Sequence, residues 1–292
     1  MQEKPESKSQ LASFQYLVEQ PSYAHEWPYW IFDDVPKGTK RGNLVIKNGP
    51  EQFVEDVRNS EEEFHLDVQG FTFKENSFSE PIEWNRREDI EQKYIPSVKA
   101  LLKDVLGEDI VYCESICYRL RDGASGQVLR EDEQYQPTMT YISPAFQLHV
   151  DYSALEAFKR MQNVFGEQAD ELVAKHRLRL INVWRPLVDV VEDLPLAICD
   201  ARHANPEDLI EVAFIDGGIA RYNYMGRYSD NYRFCYLSNM HRDEVCILKN
   251  FDSRDGVAKR APHCSFKSKF ASPKSSTRQS VEVRLLVLSN PA

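Results

Sequence analysis

No stretch of this 292-residue chain approaches the ~20 consecutive apolar residues that a membrane-spanning helix requires. The first ten residues, MQEKPESKSQ, carry no apolar run of the secretory-signal type and are expected to form a polar, disordered tail. Basic charge is also scarce: 36 Lys and Arg stand against 46 Asp and Glu, a formal charge of −10. That balance disfavours nucleic acid, because phosphate binding draws on a basic surface. Only KSKFASPK at 267–274 is locally basic. The six cysteines (Cys113, Cys117, Cys199, Cys235, Cys246 and Cys264) lack the spacing of a small disulfide scaffold. They read as reduced thiols of a cytoplasmic chain. Cys113 and Cys117 form a C-x3-C pair with no second pair to complete a zinc site. Internal repeats, long low-complexity tracts and phosphate-binding loops are missing.

At 42% hydrophobic and 11% aromatic residues, the chain can bury a sizeable core. Residues 11–90 are rich in aromatics and turns and read as an irregular arm with short strands. IEQKYIPSVKALLKDVLG repeats apolar residues at helical spacing, with Gly107 to end the helix. IVYCESICYRL at 110–120 reads as a strand. Ser153 and Glu156 have the spacing of a capping box, opening a short helix with Leu155, Phe158, Met161 and Phe165 on its apolar face. A second helix is expected at 167–177. Strands follow at 178–184, 196–199, 210–215, 233–237, 244–249, 263–266 and 281–288. Many short strands with inserted helices predict a β-sandwich or barrel, mainly β with flanking helices. The division expected is an irregular N-terminal arm over 1–95 packed on a core over 96–292, one structural domain in all.

The segment AFQLHVDY is strand-like and apolar apart from Gln147 and an ionisable pair, His149 and Asp151. Residues i and i+2 of a strand share a face, so the pair projects together. An imidazole and a carboxylate on one face can hold two positions on iron, and a second histidine completes a facial triad with open positions. The dipeptide alone also fits a hydrogen-bonded or surface pair. Four histidines follow. His176 lies in a basic helix end, and His203 and His241 lie in turns. His263 begins a strand after Pro262 and is favoured as the third ligand. Arg278 and Ser280 form another i, i+2 pair, at the start of the last strand. A guanidinium fork plus a hydroxyl suits the distal carboxylate of 2-oxoglutarate. Arg284 shares their parity and is the rival anchor, read instead as an internal ion-pair partner.

The blocks LDVQGF (66–71), INVWRPL (181–187), LAICDAR (196–202), DEVCILKNFDS (243–253), APHCSF (261–266) and RQSVEVRLLVL (278–288) resemble those of a mainly fungal group. It comprises gibberellin-desaturase, asaB-type hydroxylase/desaturase and cephamycin 7α-methoxylase-like proteins. The resemblance implies a double-stranded β-helix (jelly-roll) core and an Fe(II)/2-oxoglutarate-dependent oxygenase. Its iron ligands would be His149, Asp151 and His263, and its 2-oxoglutarate anchors Arg278 and Ser280, with O2 as the other cosubstrate. It implies C–H activation (hydroxylation, desaturation or oxidative cyclisation) on a small organic metabolite of secondary metabolism. Cys264 stands where a threonine-like residue is expected, and His203 where a small hydroxyl residue is commoner. Asn182 is a candidate for the metal-side end of 2-oxoglutarate or for satisfying a backbone group. Trp184 is a core or pocket wall, and Arg185 a substrate-pocket residue or a structural ion pair. Tyr222, Tyr224, Tyr228, Tyr232 and Tyr236 read as half-buried sheet residues. The competing functions are an iron oxidase that needs no 2-oxoglutarate and a β-sandwich binding protein without metal chemistry.

Overall fold

The computed structural model describes residues 6–78, 80–107, 109–127 and 139–290. The chain opens with β1 (Gln10–Leu17), β2 (Tyr29–Ile31), β3 (Ile46–Asp56) and β4 (Phe71–Glu75). A helical stretch follows: α1 (Arg87–Asp89), a π-helical turn (Ile90–Tyr94) and α2 (Ile95–Leu106). Then come β5 (Ile110–Asp122), β6 (Tyr141–Ile142) and β7 (His149–Val150), the helices α3 (Ala154–Phe165) and α4 (Ala169–Lys175), and β8 (Arg177–Pro186). The remainder is β9 (Val190–Val191), β10 (Leu196–Cys199), β11 (Leu209–Asp216), β12 (Ile219–Gly226), β13 (Phe234–Tyr236), β14 (Met240–His241), β15 (Glu244–Asp252), β16 (His263–Ser265) and β17 (Gln279–Ser289). Gly107 ends α2 at φ 90°, a conformation that favours glycine.

Two sheets face one another. One runs β1-β3-β13-β10-β16-β7-β12-β11-β2, the other β4-β15-β8-β17-β5-β6. Alternation along β17 and β8 decides what each face meets. Val281, Val283, Leu285 and Val287, with Ile181 and Val183, pack outward against Val98, Leu101 and Leu102 of α2. The other parity points between the sheets. At one end Leu178, Leu180, Leu286 and Leu288 close over Ala157 and Met161 of α3. In the middle the same parity turns polar, with Asn182, Glu282 and Arg284 all buried.

The structure amends several expectations. Of the tail expected over 1–10, residues 1–5 lie outside the described residues. The Lys8 N–H donates to Asp56 Oδ2 at 2.9 Å, and β1 begins at Gln10. The segment read as irregular holds two long strands, β1 and β3, and β3 pairs in parallel with β13 of the core. Ser153 caps α3 as expected, accepting the Glu156 N–H at 3.2 Å. The Glu156 carboxylate does not reach back. It pairs with Arg160 at 2.7 Å and accepts the Tyr222 N–H at 3.2 Å. Leu155 and Phe158 face solvent, so the buried stripe of α3 is Ala157 and Met161. His241 belongs to a two-residue strand rather than a turn.

Candidate metal centre

His149 lies on β7 and His263 on β16, and the two residues are directly paired across the antiparallel strands. Their rings stand with centroids 4.6 Å apart. Asp151 follows β7 on the same face as His149. His149 Nε2 lies 3.6 Å from Asp151 Oδ1, and His263 Nε2 lies 3.5 Å from Asp151 Oδ2. One ligand atom from each residue fits within a 4.8 Å cluster, so the three can hold a metal ion.

Backbone carbonyls set the histidine rings. His149 Nδ1 is 2.8 Å from Gln147 O and His263 Nδ1 is 3.0 Å from Ala261 O. With each Nδ1–H donating to its carbonyl, both Nε2 lone pairs face the cluster, as metal binding demands. Burial and the neighbouring His263 pull His149 down to about 4, so its imidazole is neutral. Burial works against an ionised Asp151, but Arg284 and the two histidines hold its carboxyl well below the usual carboxylate range. His263 is raised: the hydrogen bond and charge of Asp151 outweigh the opposing effect of its burial.

Both Asp151 oxygens have donors from the opposite sheet. Arg284 Nη2 donates to Oδ1 at 2.6 Å and Asn182 Nδ2 to Oδ2 at 2.6 Å. Arg284 also donates from Nε to Glu282 Oε1 at 2.7 Å. It is therefore the internal ion-pair partner that its position suggested. Asn182, expected to reach 2-oxoglutarate or a backbone group, instead steadies the Asp151 carboxylate.

Arg278 lies beside this cluster, lining one cleft with His149, His263, Trp184 and Glu282. Its Nη1 donates to Leu194 O at 2.7 Å and to Ser265 Oγ at 3.0 Å. Its guanidinium stands 5.5 Å from the Trp184 ring centroid. Its Nε and the Ser280 Oγ are buried without a partner among the described residues. Burial, with Arg121 close by, pulls Arg278 down to about 9. Two orphaned buried polar groups, one just before β17 and one at its start, are costly unless a ligand meets them. A carboxylate is the occupant they fit.

Arg185 is a correction. Alternation turns it to the outer face of β8, where it donates to Arg242 O and Asn76 Oδ1 and stacks 4.1 Å from the Phe78 ring centroid. It takes no part in the cleft. Two residues that sequence reasoning passed over, Arg119 and Arg121, point inward from β5. Their signal was the i, i+2 spacing in CYRLRD, which went unused because the sequence does not say which face of β5 is the interior.

The chain matches the family described as oxidoreductase/YMDC permease-like domain over residues 14–288. It is 34% identical over 243 residues to the Fe(II)/2-oxoglutarate-dependent dioxygenase nvfI of Aspergillus novofumigatus, spanning 80% of this chain and 81% of that protein. The hydroxylase/desaturase efuI of Hormonema carpetanum is 28% identical over 274 residues, 87% of this chain and 88% of the relative. Among solved structures, the iron and alpha-ketoglutarate-dependent endoperoxidase NvfI matches with a TM-score of 0.83 at 28% identity, over 97% of this chain and 99% of that one. The chain belongs to this family of Fe(II)/2-oxoglutarate-dependent dioxygenases, an oxidoreductase with a jelly-roll core whose cofactor is iron(II) and whose cosubstrates are 2-oxoglutarate and O2.

Proposed function

We propose that His149, Asp151 and His263 bind the iron(II) and that Arg278 with Ser280 holds the distal carboxylate of 2-oxoglutarate. The observation that carries this is the placement of two imidazoles and a carboxylate within 4.8 Å of one another, beside the partnerless Arg278 Nε and Ser280 Oγ. Two histidines and one carboxylate are the donor set of non-haem iron(II) oxygenases. Bound there, iron with 2-oxoglutarate and O2 supplies the oxidation of an unactivated C–H bond of a small organic metabolite.

The protein's own residues supply position. The Gln147 and Ala261 carbonyls fix the two ring tautomers, and Asn182 and Arg284 fix the plane of the Asp151 carboxylate. Trp184 backs the Arg278 guanidinium. The apolar closure made by Leu180, Leu286 and Met161 keeps water from the far end of the interior. Hydroxylation, desaturation and ring closure can begin at the same C–H bond; they differ in whether the substrate carbon then gains oxygen or a second hydrogen is lost, and the wall of the substrate cavity positions the substrate for one or the other. The setting proposed is secondary metabolism, carried by the relatives' hydroxylase/desaturase and dioxygenase names, in the cytoplasm.

His149→Ala and Asp151→Ala are each expected to abolish succinate formation from 2-oxoglutarate while the circular dichroism stays that of the native fold. Measurable turnover in either folded variant defeats the assignment. Oxygen uptake that proceeds equally well without 2-oxoglutarate would reassign Arg278 and Ser280 to the substrate.

A further inference from the structure

A second cavity of about 490 Å³ is lined in part by His149 and Asp151 and adjoins the cleft through Arg121, Ala145 and His149. That volume is within the range of small-molecule sites. Its wall is two-sided. Ile142, Phe146, Phe214 and Met225 make it apolar, while Arg119, Arg121 and Arg284 make it cationic.

Among the described residues, the charges across this cavity and the neighbouring cleft do not balance. Four guanidinium groups line the two, those of Arg119, Arg121, Arg278 and Arg284, against the carboxylates of Asp151 and Glu282. Asp193 stands behind Arg278, accepting its backbone N–H at 3.2 Å. Doubly charged iron(II) and the 2-oxoglutarate dianion cancel each other, so loading the site leaves the surplus in place. Cross-strand register shows where it falls. Arg284 pairs with Asp151 and Glu282, and Arg119 lies directly opposite Glu282. Arg121 lies opposite the neutral Ser280. Among the described residues Arg121 forms no ion pair, and its one hydrogen bond is from Nη1 to Ser143 O at 2.8 Å. The carboxylates of Glu282 and Asp151 act on Arg121 through space but are engaged directly by Arg284. A sheltered cation without a direct ion-pair partner is costly, and an anionic ligand removes that cost. A neutral ligand does not.

We infer that the substrate is an apolar organic acid: Arg121 binds its carboxylate, and its hydrocarbon skeleton lies along Ile142, Phe146, Phe214 and Met225 beside His149 and Asp151. This rests on the oxygenase reading above. It makes Arg121 the residue that selects substrate by charge, separate from Arg278, which serves the cosubstrate.

The test uses the protein loaded with iron(II) and 2-oxoglutarate without oxygen, and titrates terpenoid and polyketide carboxylic acids, each paired with its methyl ester, by calorimetry. At least one acid is expected to bind tenfold or more tighter than its ester, the gain of a charge-assisted hydrogen bond. Arg121→Gln should reduce that preference to about twofold, and Arg121→Lys, which keeps the charge, should retain part of it. An acid preference that survives Arg121→Gln overturns the inference, as does a complete set in which no acid outbinds its ester. The 2-oxoglutarate requirement of uncoupled succinate formation separates the two arginines. If Arg121→Gln raises it as Arg278→Ala does, Arg121 serves the cosubstrate, and the inference fails while the oxygenase reading stands. If wild-type protein turns over no 2-oxoglutarate at all, it is the oxygenase reading that fails, and the acid preference is judged on binding alone.

Discussion

At the scale of single residues, two arginines six positions apart, one just before the last strand and one within it, meet different partners. Arg278 has its Nε unmet, and Arg284 lies further in with donors on Asp151 and Glu282. Their substitutions should therefore fail differently. Arg278→Ala is expected to raise the 2-oxoglutarate concentration for half-maximal turnover about tenfold or more while leaving iron binding near wild type, because in the proposed arrangement it removes a charge-assisted contact to the cosubstrate alone. Arg284→Ala removes one of the two donors that orient the Asp151 carboxylate. It should weaken iron binding by about 10–100-fold, the usual cost of losing a partner of a metal ligand. Asn182→Ala should act in the same direction. Iron titration of the apoprotein measures this without turnover, and equal metal affinity in all three variants would refute the division. Spacing in the sequence pointed to the candidate row that the fold brings together: H-x-D on one strand, histidine on a second, R-x-S at the start of a third. It gave no hint that Asn182 turns to Asp151, because that contact crosses between sheets and depends on how they are stacked.

At the scale of elements, strand alternation was legible where one face is continuously apolar, as along β8 and β17. It failed where both faces are mixed. β12 carries tyrosines and arginine on half-buried positions and offers no clean apolar row, so the sequence marks Tyr222 and Tyr224 as half-buried sheet residues but does not delimit the strand Ile219–Gly226. β3 contains Asn48-Gly49-Pro50, which looks like a turn, yet the segment stays extended because β1 pairs with it around an irregularity between Ser13 and Gln15. The start of α3 was readable from Ser153, and its hydroxyl is expected to matter in proportion. Ser153→Ala should cost about 1 kcal/mol in urea denaturation, the usual value of an N-cap. A buried ionic knot joins further elements. The Lys249 ammonium of β15 contacts Asp252 and Asp67, and Arg177 of β8 reaches the same two carboxylates at 2.6 Å. Burial pulls Lys249 down, against the two carboxylates that hold its charge. Lys249→Met should destabilise by about 3 kcal/mol, the low end for breaking a buried pair, because Arg177 still faces Asp252. A urea midpoint shared with wild type would show that the knot contributes nothing net.

At the scale of the whole molecule, the site is a clasp between the two sheets. His149, Asp151 and His263 come from the nine-stranded sheet and its margin, whereas Asn182, Arg284 and Ser280 come from the six-stranded one. A ligand that engages both can bind only when the sheets are stacked, so its binding energy becomes folding stability. A ligand present at 100 times its dissociation constant adds about 2.7 kcal/mol. With an unfolding entropy near 2.1 cal/mol/K per residue, this becomes a rise of about 4 °C in melting temperature for a chain of this length. Manganese(II), which replaces iron without redox change, should raise the melting temperature of the wild-type protein, and 2-oxoglutarate should raise it further. The two increments should depend on each other, because the metal-facing residues and Arg278 border one cleft. His263→Ala should remove the metal increment and most of the 2-oxoglutarate increment. Arg278→Ala should spare the first and remove the second. A 2-oxoglutarate increment indifferent to both the metal and Arg278 would mean that the cosubstrate sits elsewhere, and that the orphaned Arg278 Nε and Ser280 Oγ await a different carboxylate.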